Sequence, residues 1–166
     1  MGGISGPGGG ASPVSTFTAA ADGSGIQVGE TYIISKPADS QFDTAVIAID
    51  PDLQVQNVPA GQYSFSAFCV FTGGAGGCRA GIFPAGAYAL GISSCGGGAV
   101  GAGFMQSTGG ILCSGANEWR LSFSGGVPKP FAGGTIGLAW RINDPAFTGT
   151  PSTLLSRSSF QLTRIE

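Results

Sequence analysis

Gly61–Gly73 reads GQYSFSAFCVFTG, and its pattern decides the fold. Tyr63, Phe65, Ala67, Cys69 and Phe71 alternate with Gln62, Ser64 and Ser66. A period of two over this length belongs to a β-strand with one buried face, because successive side chains leave a strand on opposite sides. A helix would scatter the same aromatics around its circumference. From Phe68 the second face turns apolar as well, with Phe68 and Val70. A strand apolar on both faces is covered twice. The second cover is either another sheet or a neighbouring subunit.

Strand patterns recur on both sides of this segment. Upstream, Val14–Phe17 is an extended stretch, followed by a turn at Ala21–Gly25 (ADGSG). Ile26–Ser35 (IQVGETYIIS) reads as a strand that Lys36-Pro37 ends, and Thr44–Ile49 (TAVIAI) as a short buried one. Asp50-Pro51-Asp52 interrupts the apolar run before Leu53–Val55 resumes it, and Asn57–Gly61 turns into the central strand. Downstream, Gly74–Gly115 is glycine-dense, which excludes helix, since each interior Gly costs about 1 kcal/mol relative to Ala. Arg79–Phe83, Ala99–Gln106 and Ile111–Cys113 are short strand candidates there. Asn117–Ser124 alternates around Trp119, Leu121 and Phe123, and Thr135–Ile142 around Ile136, Leu138 and Trp140, with Gly125–Gly134 read as the loop between them. Asp144–Pro151 reads as another loop, and Leu154–Ile165 closes the pattern with a terminal strand. Many short strands with Gly/Pro turns and no 3.6-residue period predict an all-β antiparallel sandwich or barrel.

Composition narrows the functional classes. The 166 residues suit one domain that buries roughly 70% of its unfolded surface. Gly fills 31 positions and charged residues only 10%, yet 11 Phe and a positive mean hydropathy mark a chain that folds. Few charges with much apolar surface point to a surface covered by protein, as in an oligomer. The seven basic residues are scattered, whereas nucleic-acid binding needs a concentrated cationic patch. No apolar run approaches the roughly 20 residues that span a bilayer, and no basic-then-apolar leader opens the sequence. Cys69, Cys78, Cys95 and Cys113 form no CxxC pair and the chain lacks His, so the thiols read as reduced and a zinc site is not indicated.

Met1–Pro13 (MGGISGPGGGASP) is a low-complexity arm. Gly supplies backbone freedom and no packing surface. Residues 1–25 are therefore set apart as an extended arm, and 26–166 as the sandwich domain. The arm is either a free tail or a segment that orders along a neighbouring subunit through Met1, Gly2, Gly3, Ile4, Ser5, Gly6 and Pro7. Enzymatic chemistry has little to stand on. Without His the commonest general base is missing. Asp50 and Asp52 are the closest carboxylate pair, open to acid/base or Ca²⁺ chemistry, but Asp and Pro are also favoured in polar turns for backbone reasons. The glycine runs contain neither GxxxxGK[ST] nor a GxGxxG that opens a helix. Cys78 beside Arg79 is the sole nucleophile candidate, and Trp119 and Trp140 read as core. No cofactor, metal or small-molecule substrate is implied.

Three segments carry a resemblance. They are DTAVIAIDPDLQVQNVPAGQYSFSAFCVFTG at Asp43–Gly73, GGTIGLAWRIND at Gly133–Asp144 and LLSRSSFQLTRIE at Leu154–Glu166. Together they resemble small jelly-roll domains of tailed bacteriophages, similar in architecture to the trimeric TNF/C1q-like fold. Such domains occur as capsid decoration (cement) proteins and as modules of tail fibres. The resemblance covers roughly Ile26–Glu166 and departs through the Gly- and Cys-rich middle. It implies an antiparallel jelly-roll β-sandwich that forms a homotrimer and binds without catalysis. The expected partner is the major capsid protein, on the outside of a phage head assembled in the host cytoplasm. The alternative is a tail-fibre or receptor-binding module that recognises a host surface. Phe68 and Val70 are the expected trimer contacts, because closed symmetry buries apolar surface that a monomer would expose.

Overall fold

The computed structural model describes residues 12–42, 46–72, 78–84, 88–95, 111–113, 118–142 and 151–166. Every regular secondary-structure element among them is a β-strand. In chain order they are β1 (Val14–Thr18), β2 (Ala21–Asp22), β3 (Thr31–Ser35), β4 (Ser40–Phe42), β5 (Ala48–Val58), β6 (Gly61–Thr72) and β7 (Cys78–Phe83). There follow β8 (Tyr88–Cys95), β9 (Ile111–Cys113), β10 (Glu118–Phe131), β11 (Gly134–Ile142), β12 (Ser152–Leu154) and β13 (Ser159–Arg164). The first sheet runs β1-β3-β13-β6-β10-β8, with β12 and β4 attached beside β6, and the second runs β2-β5-β11-β7-β9. From β5 to β12, consecutive strands alternate between the two sheets. All pairings are antiparallel except β1 with β3 and β2 with β5.

The core lies between the sheets. Tyr63, Phe65, Ala67, Cys69 and Phe71 of β6 all point into it, as the alternation predicts. Around them pack Tyr32 and Ile34 of β3, Phe160 and Leu162 of β13, and Leu53 and Val55 of β5. Ile136, Leu138 and Trp140 of β11 complete the facing layer. Trp140 stacks on Phe42 at 4.2 Å between ring centroids, joining the second sheet to β4 of the first. Core packing is therefore the role of this Trp; the side chain of Trp119 lies outside the described set.

The sequence pattern and the structure differ first at four places along the strand assignments. The strand expected from Ile26 begins at Thr31, because two turns precede it, closed by Ile26 N–H to the Gly23 carbonyl and Glu30 N–H to the Gln27 carbonyl, each at 3.0 Å. Gly125–Phe131 is strand and not loop: Gly125 and Val127 pair with Phe65 and Tyr63, extending β10 before the register shifts ahead of Phe131. Gly133, with φ +95°, then makes the turn into β11 against the Val58 carbonyl, where a Cβ would not fit. Residues 14–25 belong to the sandwich: β1 and β2 each pair with a sheet, and Ala21 is buried in the core. The fourth is Tyr88–Cys95, a strand paired to β10 within the glycine-dense stretch. The proposed strand Ala99–Gln106 and the arm residues Met1–Pro7 lie outside the described residues.

Asp50-Pro51-Asp52 does not end a strand. β5 runs through it with a bulge: Gln54 pairs with Gly137 and Ile49 with Ala139, so Asp50–Leu53 stand opposite Leu138 alone. The bulge frees backbone N–H groups, and the Asp50 carboxylate accepts two of them, from Asp52 and Leu53, at 3.0 Å each.

Candidate functional site

Two places in the sandwich carry more than packing. The first is the outward face of the larger sheet. Register puts Ser35, Ser159, Phe68 and Ser122 in one row across β3, β13, β6 and β10. The next row is Ile33, Gln161, Ser66 and Ser124, and the one beyond it Thr31, Thr163, Ser64 and Gly126. Ser66 Oγ donates to Gln161 Oε1 at 3.1 Å, and the Thr31 and Thr163 hydroxyls meet at 2.8 Å. These three rows contain no charged residue, and at 39% exposure Phe68 is the exposed aromatic among them. Charge gathers at one end, where Glu118 lies between Arg157 (2.6 Å) and Arg120 (3.3 Å). Hydrogen bonding by Arg157 holds the Glu118 carboxyl below its ordinary range.

The structure separates the two expected contact residues. Phe68 is available to a partner. Val70 is only 1% exposed within this one chain, with the turn Leu155–Ser158 bonded along its backbone. The second cover that the apolar pattern demands is thus supplied at Val70 by the same polypeptide. At Phe68 it is not.

The second place lies between the sheets at the bulge of β5. Lys36 follows directly on β3, and its Nζ donates to both carboxylate oxygens of Asp50 at 3.0 Å and to Asp52 Oδ2 at 2.8 Å. The side chains of Lys36 and Asp50 are fully buried, and that of Asp52 is 27% exposed. The sequence pairs the two carboxylates but gives no sign of their partner, since Lys36 reads as a strand end. A cation between Asp50 and Asp52 has its place taken by the Lys36 ammonium. Among the described residues no group of three or more His, Cys, Asp or Glu is placed to hold a metal ion. The register sets Cys78 opposite Cys113, and their side chains lie outside the described set.

No protein-family model matches the chain, and no curated protein matches its sequence significantly.

Proposed function

We propose that this chain is a structural protein of a bacteriophage head, a decoration protein that binds the outside of the shell as a homotrimer and stiffens it. The observation that carries the reading is the broad uncharged face of the larger sheet with Phe68 exposed within it. Set close to a three-fold axis, a face of Ser, Thr and Gln side chains around one aromatic brings the three copies of Phe68 together without opposing like charges, and burial of the rings supplies the attraction. The three segments that resemble phage jelly rolls support the same reading. They fall on β5 and β6, on β11 and on β13, and in space β6 pairs with β13 and β5 with β11. Alternation of consecutive strands between two sheets is the winding expected of a jelly roll.

In this reading the Gly-rich arm enters the sheet at Val14, in the row of Thr31, Thr163 and Ser64, and extends onto the shell or a neighbouring subunit. Three arms on one trimer would bind multivalently, so modest contacts combine into firm attachment. The experiment mixes purified chain with undecorated heads and measures bound copies relative to the major shell protein. Saturable binding in multiples of three is expected, and removal of Met1–Ser12 weakens it while leaving the trimer intact. Binding to host cells but not to heads would replace this reading with that of a receptor-binding tail module.

A further inference from the structure

We propose that Lys36 and Asp50 condense into an intramolecular isopeptide bond, with Asp52 moving the protons. This does not depend on where the protein works. An ordinary buried ion pair needs one carboxylate and one ammonium. Here the amine touches two carboxylates, and one of these has the parts of a reaction centre. Lys36 Nζ is 3.0 Å from each oxygen of Asp50, within reach of the carbon between them. Asp50 Oδ1 accepts two backbone N–H groups, from Asp52 and Leu53, both at 3.0 Å. That is a preformed cradle for an oxygen that gains negative charge during attack. Asp52 Oδ2 is 2.8 Å from Nζ and partly open to solvent, the position of a group that takes a proton and passes it on.

The cluster already holds the protons that the reaction needs. Asp52 relays one proton from the ammonium to Asp50 Oδ2, giving a neutral amine beside a neutral acid. The amine lone pair forms the Nζ–Cγ bond, and the carbonyl electrons move onto Oδ1 in its cradle. Asp52 then carries a second proton from Nζ to the Oδ2 hydroxyl. The Cγ–Oδ2 bond breaks, water leaves, and the Oδ1 carbonyl re-forms. One ammonium and one carboxylate become one amide and one water, with Asp52 again a carboxylate and no external oxidant or activator consumed. The product ties the end of β3, in the larger sheet, to β5 in the other.

The test is the intact mass of the purified, folded full-length chain. The expected mass is that of the sequence less one water. Cleavage at Phe42 or Asp43 should then leave the Lys36 and Asp50 peptides joined. Asp22-Gly23 could also lose water by cyclising on itself, and Lys36→Arg separates the two: the full mass returns only if Lys36 is the nucleophile. Asp50→Asn should lose ammonia in place of water. Asp52→Ala should restore the full mass, and if that variant fails to fold, the wild-type mass decides alone. A wild-type mass equal to the sequence, or a water loss that persists in Lys36→Arg, overturns the proposal.

Discussion

Ser158 Oγ accepts the Val70 N–H at 2.9 Å and lies 3.3 Å from the Val70 carbonyl, so one hydroxyl stands where a strand would. β13 pairs with β6 up to Phe68 and β12 resumes the pairing at Phe71, leaving Val70 opposite the Leu155–Ser158 turn. The Leu155 N–H also donates to the Val70 carbonyl, at 2.7 Å. Ser158→Ala would keep that carbonyl bonded and leave the N–H buried without an acceptor. The expected cost is about 1–3 kcal/mol of stability, read as a lower urea midpoint. An unchanged midpoint would mean that water or a neighbouring group replaces the hydroxyl.

Phe68→Asp puts a charge in the middle of the uncharged face. Dissociation of the proposed trimer is expected with the far-ultraviolet spectrum unchanged, since Phe68 points away from the core. Light scattering on wild type and variant provides the comparison. A wild-type chain that is monomeric at all concentrations removes the basis for this contact.

Lys36→Met leaves the Asp50 carboxylate buried with only backbone donors, and it also removes the cross-link where the amide has formed. Breaking a buried pair from one side typically costs about 3–5 kcal/mol, and a loss of that order is expected in denaturant unfolding. Asp52→Asn should cost clearly less, because that side chain reaches solvent. Equal losses for the two variants would show that Asp52 shares the burial of its partners.

Acid should loosen the same turn that bonds to the Val70 backbone. The Ser156 N–H holds the Asp39 carboxyl below its ordinary range, and Arg157 does so for Glu118. A carboxyl whose folded pKa lies below its unfolded value adds stability above the unfolded pKa, near 4, and loses it as pH falls through the folded one. Urea midpoints should therefore hold steady from neutral pH down to about 4 and fall below it. Asp39→Asn should flatten that fall. A midpoint insensitive to acid in both proteins would contradict these assignments.

How much of this was legible beforehand depends on which forces act locally. The β6 alternation identified its core face because a two-residue period needs only one strand to be read. Residues Gly125–Phe131 look like a loop, since two glycines and two prolines carry no propensity for strand; pairing with β6, distant in sequence, makes them one. The shared apolar character of Phe68 and Val70 predicted a second cover but could not say whose. That depends on where the Leu155–Ser158 turn falls in space. Lys36 was hidden for a similar reason: its carboxylate partners sit on a bulge in the opposite sheet, and nothing near Lys36 in sequence announces them.

β1 runs parallel to β3 from Val14–Thr31 to Thr18–Ser35, and after Ala19 the chain crosses to lay β2 along β5. Tension applied upstream of Val14 would be directed along the strand axis. The rungs of that ladder would then be sheared together instead of peeling open from one end. An attachment made there would transmit load into both layers of the sandwich at once, so rupture force, as much as affinity, is the quantity by which such a tether should be judged.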